Sequence, residues 1–208
     1  MTPPEETDTL ELLRQTAEWR LMGLLLDCPS PRWSREVAAV ANEIRDERLR
    51  KVSEAALAQA SEGLYHSVFG PGGPASLREV HYHAGVEYGS LMSDLSRFYG
   101  AFGYKPLTHE APDHVAVEAG FIAYLKLKRA FAHWRSQPEC VAVAGDAERD
   151  FTSRHLSFIA EPLARTLEQS GIEYLTAVSK LLLEHTGPAP RQQVTQCQID
   201  PEAPMCAR

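Results

Sequence analysis

Leu91-Met92-Ser93-Asp94-Leu95-Ser96-Arg97-Phe98-Tyr99-Gly100-Ala101-Phe102 places Leu91, Leu95, Phe98 and Phe102 at i, i+4, i+7 and i+11. That spacing returns each large apolar side chain to one face of a helix, and a strand of period two does not reproduce it. The same period runs through most of the chain. Upstream, Leu10, Leu13, Ala17, Leu21 and Leu24 form one stripe, with Asp8 and Glu11 spaced as a capping pair and Asp27-Cys28-Pro29-Ser30-Pro31 as the stop. Trp33, Val37, Val40 and Ile44 mark a second helix. A third runs from about Leu49 through Val52, Ala56, Ala60, Leu64 and Val68 to the turn-rich Gly70-Pro71-Gly72-Gly73-Pro74.

Downstream, residues 103–112 form a loop holding Pro106 and Pro112. Val117, Phe121, Tyr124 and Phe131 then stripe one helix, and Phe151, Phe158 and Ile159 begin another that Pro162 should kink or restart. Ile172, Leu175, Val178 and Leu182 close the series. The expected fold is all-α: a single helical bundle of roughly seven or more helices over residues 1–186, open to a two-lobed form hinged near residues 103–112. From Gly187 to Arg208 prolines, glutamines and scattered polar residues leave little apolar surface, which predicts a disordered tail.

Composition narrows the function classes. The chain has 208 residues, 44% hydrophobic, enough for one sizeable core. Its 28 acids against 21 bases give a net charge of −7, a field that repels phosphate backbones and argues against nucleic acid as a partner. The longest apolar run, Leu21 to Leu26, is far too short for a membrane span, and Met1-Thr2-Pro3-Pro4-Glu5-Glu6 is acidic where a signal peptide carries positive charge. A cytoplasmic protein is expected. Cys28, Cys140, Cys197 and Cys206 show no C-x-x-C pair and no zinc spacing, so reduced thiols, no disulfide and no metal are the reading.

Two stretches carry more than periodicity. Tyr65-His66-Ser67-Val68-Phe69-Gly70-Pro71-Gly72-Gly73-Pro74 is followed by Tyr82, and Glu110-Ala111-Pro112-Asp113-His114-Val115-Ala116-Val117-Glu118-Ala119-Gly120-Phe121 opens a helix after a proline-containing loop. Just after Pro112, Asp113 is placed to cap that helix or to complement its dipole, while His114 and Glu118 stand four apart on one face. An enzyme is a rival reading, because there are eight histidines. Spacing argues against it: His81 and His83 point about 200° apart on a helix, Asp113 and His114 about 100°, and no nucleophile elbow is present. The Gly70 to Pro74 loop lacks the lysine and strand-to-helix setting of a P-loop.

Together the two stretches resemble the TorD/DmsD/NarJ family of molybdoenzyme maturation chaperones, in which Tyr-x-x-Leu-Phe precedes a Gly/Pro loop and Glu-x-x-Asp-His opens a helix. The resemblance runs from about Leu10 to His185, and His155-Leu156 is similar to a His-Leu pair of the family's later helix. Val68, Val80 and Ala119 depart from the pattern with apolar or small residues. The Phe69 to Ser76 and Asp113 to Phe121 strings look most similar to the chaperones of type II dimethyl sulfoxide reductase-like enzymes.

The resemblance implies a non-catalytic chaperone without a cofactor of its own. Its partner would be the molybdenum-containing catalytic subunit of an oxidoreductase and that subunit's twin-arginine leader. It places Glu110, Asp113, His114 and Glu118 near the leader, since carboxylates suit guanidinium groups, with Tyr82, Tyr99, Phe102 and Phe121 as an apolar groove. Each aromatic has core packing as its alternative. A helical module for another protein or a small apolar ligand remains the alternative function, and both monomer and domain-swapped dimer stay open.

Overall fold

A computed structural model describes residues 4–83 and 85–189, with the side chains of residues 4–7 outside that description. Among these residues every regular element is helical: α1 (Pro4–Leu25), α2 (Pro31–Ala41), α3 (Glu47–Gln59), α4 (Glu62–Phe69), a 3₁₀ turn (Glu79–Tyr82), α5 (Tyr88–Phe102), α6 (Val115–Trp134), α7 (Pro138–Phe151), a π-helical turn (Thr152–Leu156), α8 (Ser157–Glu168) and α9 (Glu173–Thr186). Among the described residues no helix is long and apolar enough to cross a membrane. The tail expected from Gly187 lies almost wholly outside the described residues, as do Cys197 and Cys206; Cys28 and Cys140 carry free thiols.

The central pair is α1 against α6, running antiparallel. Thr9 meets His133 at one end and Lys126 Nζ donates to Gln15 at 2.9 Å in the middle. At the other end Gly23 permits the closest approach: a Cβ there would sit 3.2 Å from the Ala116 carbonyl oxygen. α7 packs on the next face of α6 through Glu148, which takes Lys126 Nζ at 2.7 Å and Arg129 at 2.5 Å. α8 and α9 pair with each other, and α9 returns to α3, where Arg48 meets Glu184 at 2.8 Å. Residues from both sides of the 103–112 loop share one core, including Leu21, Leu25, Leu95, Phe121, Phe151 and Leu182. Enclosing side chains of this size contributes about 2 kcal/mol each.

Several expected boundaries move. Asp8 and Glu11 do not cap α1, because the helix already begins at Pro4. The single helix expected from Leu49 to Val68 is two: α3 ends at Gln59, and Ser61 accepts from the Leu64 N–H to start α4. A side-chain oxygen that satisfies an orphan donor can win over continuous periodicity. Apolar spacing does not announce α7, whose buried residues are Ala144, Gly145 and Phe151. Pro162 does not restart the helix: α8 continues through the proline, and the change of register lies upstream, at the π-helical turn 152–156. Phe131 is also not core, being 56% exposed.

Candidate functional site

Backbone pairing brings the two sequence stretches together. Glu79 N–H donates to the Asp113 carbonyl at 2.8 Å and Val115 N–H to the Leu77 carbonyl at 2.9 Å, an antiparallel bridge between Arg78 and His114. It ties the segment after the Gly/Pro loop to the start of α6. Asp113 is fully buried; its carboxylate takes Arg78 Nε on one oxygen and the Val80 N–H at 3.4 Å on the other. It does not cap α6. The N-cap is His114, whose Nδ1 accepts from the Ala116 N–H at 3.2 Å. With Nδ1 accepting, the ring proton sits on Nε2 and faces the Tyr65 hydroxyl at 3.2 Å. Burial, then the Arg78 charge, pushes His114 down to about 3, so the ring is neutral at neutral pH. Asp113 and His114 therefore form no acid–base dyad, since each side chain is committed elsewhere.

A second buried layer lies behind. Glu79, fully enclosed, accepts from His155 Nδ1 at 3.1 Å and 3.2 Å on its two oxygens and pairs with His83. Burial alone would raise its carboxyl; the hydrogen bonds from His155 and His83 outweigh that and lower it. Glu118 is also fully enclosed; no N–H or cationic donor reaches either of its oxygens, and its side-chain partner is the Glu79 carboxylate, to which the protonated acid donates. Burial first, and then the neighbouring Glu79 charge, holds Glu118 well above the usual carboxylate range. The group is a neutral acid beside a carboxylate, and it does not pair with His114. His155 sits in the π-helical turn with Nε2 3.4 Å from Asp94, so the layer connects α6, the 3₁₀ turn, α5 and the α7–α8 junction.

The aromatic candidates divide. Phe121 is the hub of a ring cluster, 4.7 Å from Phe151, 5.0 Å from Tyr99, 5.2 Å from Tyr104, 6.1 Å from Phe102 and 6.4 Å from Phe98 between centroids. Phe121 and Tyr99 are buried, and Tyr99 donates to the Pro112 carbonyl at 2.8 Å, anchoring the end of the loop. Tyr82 and Phe102 are half-buried; Tyr82 donates to the Ser76 carbonyl at 2.7 Å. His81 faces Ser76 while His83 faces Glu79, so the two histidines do not converge on one ligand. Among the described residues no three His, Cys, Asp or Glu side chains are grouped to hold a metal ion.

Of the acid–histidine candidates, Glu110 alone reaches solvent appreciably. It lines a cleft of about 360 Å³ between the 103–112 loop and the α1–α2 junction, with Asp27, Cys28, Glu36, Arg20, Arg32, Trp33, Leu107 and Thr108. Arg20 and Arg32 are both held by Glu36, at 3.0 Å and 2.5 Å. Among the described residues neither Asp27 nor Glu110 makes an ion pair with a Lys or Arg, although Arg20 acts on Asp27 and Arg78 on Glu110 from further off. Asp27 takes the Cys28 N–H at 2.9 Å and the Thr108 hydroxyl at 3.4 Å, and the neutral His114 ring lies 3.9 Å from Glu110. Burial raises both carboxyls, and the charge of Asp27 raises Glu110 further. Asp27 was hidden in the sequence as part of a helix stop. Arg78 and Glu79 were hidden because their partners lie 35 and 76 positions away.

Residues 30–165 match the nitrate reductase delta subunit family, a span from the start of α2 into α8 that contains both paired stretches and His155. The chain belongs to that family. No curated protein matches it. Its fold is similar to that of a crystal structure from Archaeoglobus fulgidus given as a redox enzyme maturation protein, with a TM-score of 0.53 and 17% identity over 82% of this chain and 92% of that one. The likeness shows the fold. In this delta-subunit-family chain, then, the Asp113–His114 element is a buried joint, and the accessible carboxylates line the cleft beside it.

Proposed function

We propose that the chain is a cytoplasmic, non-catalytic chaperone that binds the apo catalytic subunit of a molybdopterin-dependent oxidoreductase and its twin-arginine leader, assisting cofactor insertion and delaying export. Membership of the nitrate reductase delta subunit family carries the reading. The client is an enzyme of the type II dimethyl sulfoxide reductase kind, on the resemblance of the Gly/Pro and Asp–His strings. Residues 1–186 act as one binding domain.

Asp27 and Glu110 meet the leader's arginines in this proposal. Two partly desolvated carboxylates without a paired Lys or Arg gain from a guanidinium, which donates charge-assisted, bidentate hydrogen bonds and relieves the repulsion of Glu110 by Asp27. Trp33 and the strongly exposed Leu107 supply apolar contact next to them. Asp113, His114 and Glu118 act from beneath by holding the loop that carries Glu110, and Tyr99 does the same through Pro112. Tyr82, Phe102 and Phe121 shape the same scaffold.

Titration calorimetry with synthetic leader peptides tests the assignment. Asp27→Asn with Glu110→Gln should weaken binding by about 1–3 kcal/mol and flatten its salt dependence, while Ser replacements in the apolar part of the leader should lower affinity at every salt concentration. A folded double variant with wild-type affinity and salt slope sinks the arginine site. Failure of the wild-type protein to bind any leader sinks the chaperone reading in this form.

A further inference from the structure

The C-terminal half of α6 leaves a face uncovered. Leu127, Phe131 and Trp134 recur at i, i+4 and i+7 and are 45%, 56% and 67% exposed, with the Phe131 and Trp134 rings 5.8 Å apart. The opposite side of the same helix faces α7 through Arg129 and is buried at Leu125 and Ala132. By the antiparallel register of α1 on α6, the exposed Leu10 and Leu13 lie level with this stretch. Lys128 and Arg135 flank Phe131 at i−3 and i+4. Lys128 lies over the Tyr124 ring at 5.1 Å and Arg135 over the Phe131 ring at 5.8 Å, and among the described residues neither makes an ion pair.

We propose that this face docks an amphipathic helix of a partner protein, whose apolar stripe is bordered by carboxylates. Single exposed apolar residues are ordinary, but a Leu-Phe-Trp stripe with an arginine on the same face has the composition of interface anchors. Its helical spacing matches the i, i+4, i+7 anchors by which one helix seats on another. The two cations decide the border, since each has donors free for a partner's carboxylates. A second copy fits less well, because a two-fold contact through α6 brings the Lys128 and Arg135 pairs of both copies together. An anionic bilayer fits less well too: two cations attract weakly, and the chain's net charge of −7 opposes them. The proposal stands apart from the leader cleft, which lies at the opposite end of α1 and takes no residue of α6.

Fluorescence anisotropy with two labelled helical peptides tests it on the full chain, one peptide bearing Glu and one Lys beside the same leucine stripe. The Glu peptide should bind, weaken with salt, and bind about tenfold or more weakly to Phe131→Ser with Trp134→Ser. Lys128→Glu with Arg135→Glu should reverse the preference, and because these two side chains pack on the surface this variant keeps the test alive if the serine variant misfolds. Absence of Glu-peptide binding, equal binding of both peptides, or a preference unmoved by the charge reversal overturns the proposal. So does concentration-dependent self-association in sedimentation, or pelleting with phosphatidylglycerol vesicles, that the serine variant abolishes.

Discussion

Replacing Glu118 by Gln should make the protein gain stability relative to the wild type as pH rises. Glu118 is fully enclosed beside the Glu79 carboxylate, and its folded-state pKa lies well above the ordinary 4.5. Above pH 4.5 the unfolded chain releases this proton while the folded chain keeps it. Folding stability therefore falls by about 1.4 kcal/mol per pH unit from 4.5 up to the folded value. His114 has the opposite sign, because its pKa drops from 6.5 to about 3. The unfolded chain takes up that proton below 6.5, so stability falls as pH decreases from 6.5 towards 3. Above pH 4.5 and below 6.5 these two contributions oppose each other. Gln at 118 has no proton to release, and its amide can donate to Glu79, so the downward contribution of this site is absent from the variant while every other group titrates as before. Urea midpoints at pH 5 and pH 6 should show the variant gaining about 1.4 kcal/mol on the wild type across that single unit. Parallel stability curves for the two proteins would mean that Glu118 is ionised in the fold or shielded from Glu79, and the buried-acid argument would be wrong.

Arg78→Met should cost about 3 kcal/mol in chemical denaturation, because it strands the fully buried Asp113 carboxylate without its cation; a loss below 1 kcal/mol would show that the Val80 N–H suffices. Ser61→Ala should cost about 1 kcal/mol by removing the oxygen that starts α4, with an unchanged midpoint counting against the cap. In the folded protein Cys140, exposed on α7, should react with a thiol reagent well before Cys28, whose thiol burial and then the Glu62 charge push up; equal rates would contradict this ordering.

Helix type and most helix positions are legible because apolar periodicity is a local property of the chain. Leu91, Leu95, Phe98 and Phe102 do lie together on α5, and Leu175, Val178 and Leu182 lie buried together on α9. What periodicity does not report is which stripe gets covered. Phe131 shares the spacing of Val117 and Phe121, yet only the first half of α6 meets α5 and the ring cluster, so the stripe is core at one end and surface at the other. The break at Ser61 was present in the sequence as a capping residue, outvoted by six apolar positions. The candidate site followed the same division. Its position, at the proline loop before α6, was readable; the roles of its residues were not, because Asp113, Glu118 and His114 are decided by Arg78, Glu79 and Tyr65, distant in the chain.

That division bears on how variants at the Asp–His element should be understood. Asp113 is 0% and His114 3% exposed, so neither side chain can touch a leader without the loop leaving α6. Yet the Asp113 carbonyl receives Glu79, its carboxylate holds Arg78, and the next carbonyl upstream, that of Pro112, receives Tyr99. Three anchors thus converge on the residues just after Glu110. Loss of any one frees a loop end rather than a contact, and the carboxylate at position 110 then samples many positions relative to Asp27. A guanidinium that must meet both carboxylates is sensitive to that freedom, since the bidentate geometry it gains from is lost over displacements of about 1 Å. Variants of Asp113 or His114 are therefore expected to weaken leader binding through the spacing of Asp27 and Glu110. Such a defect is separable from loss of a direct contact, because a cross-link or a bound peptide that fixes the loop restores it.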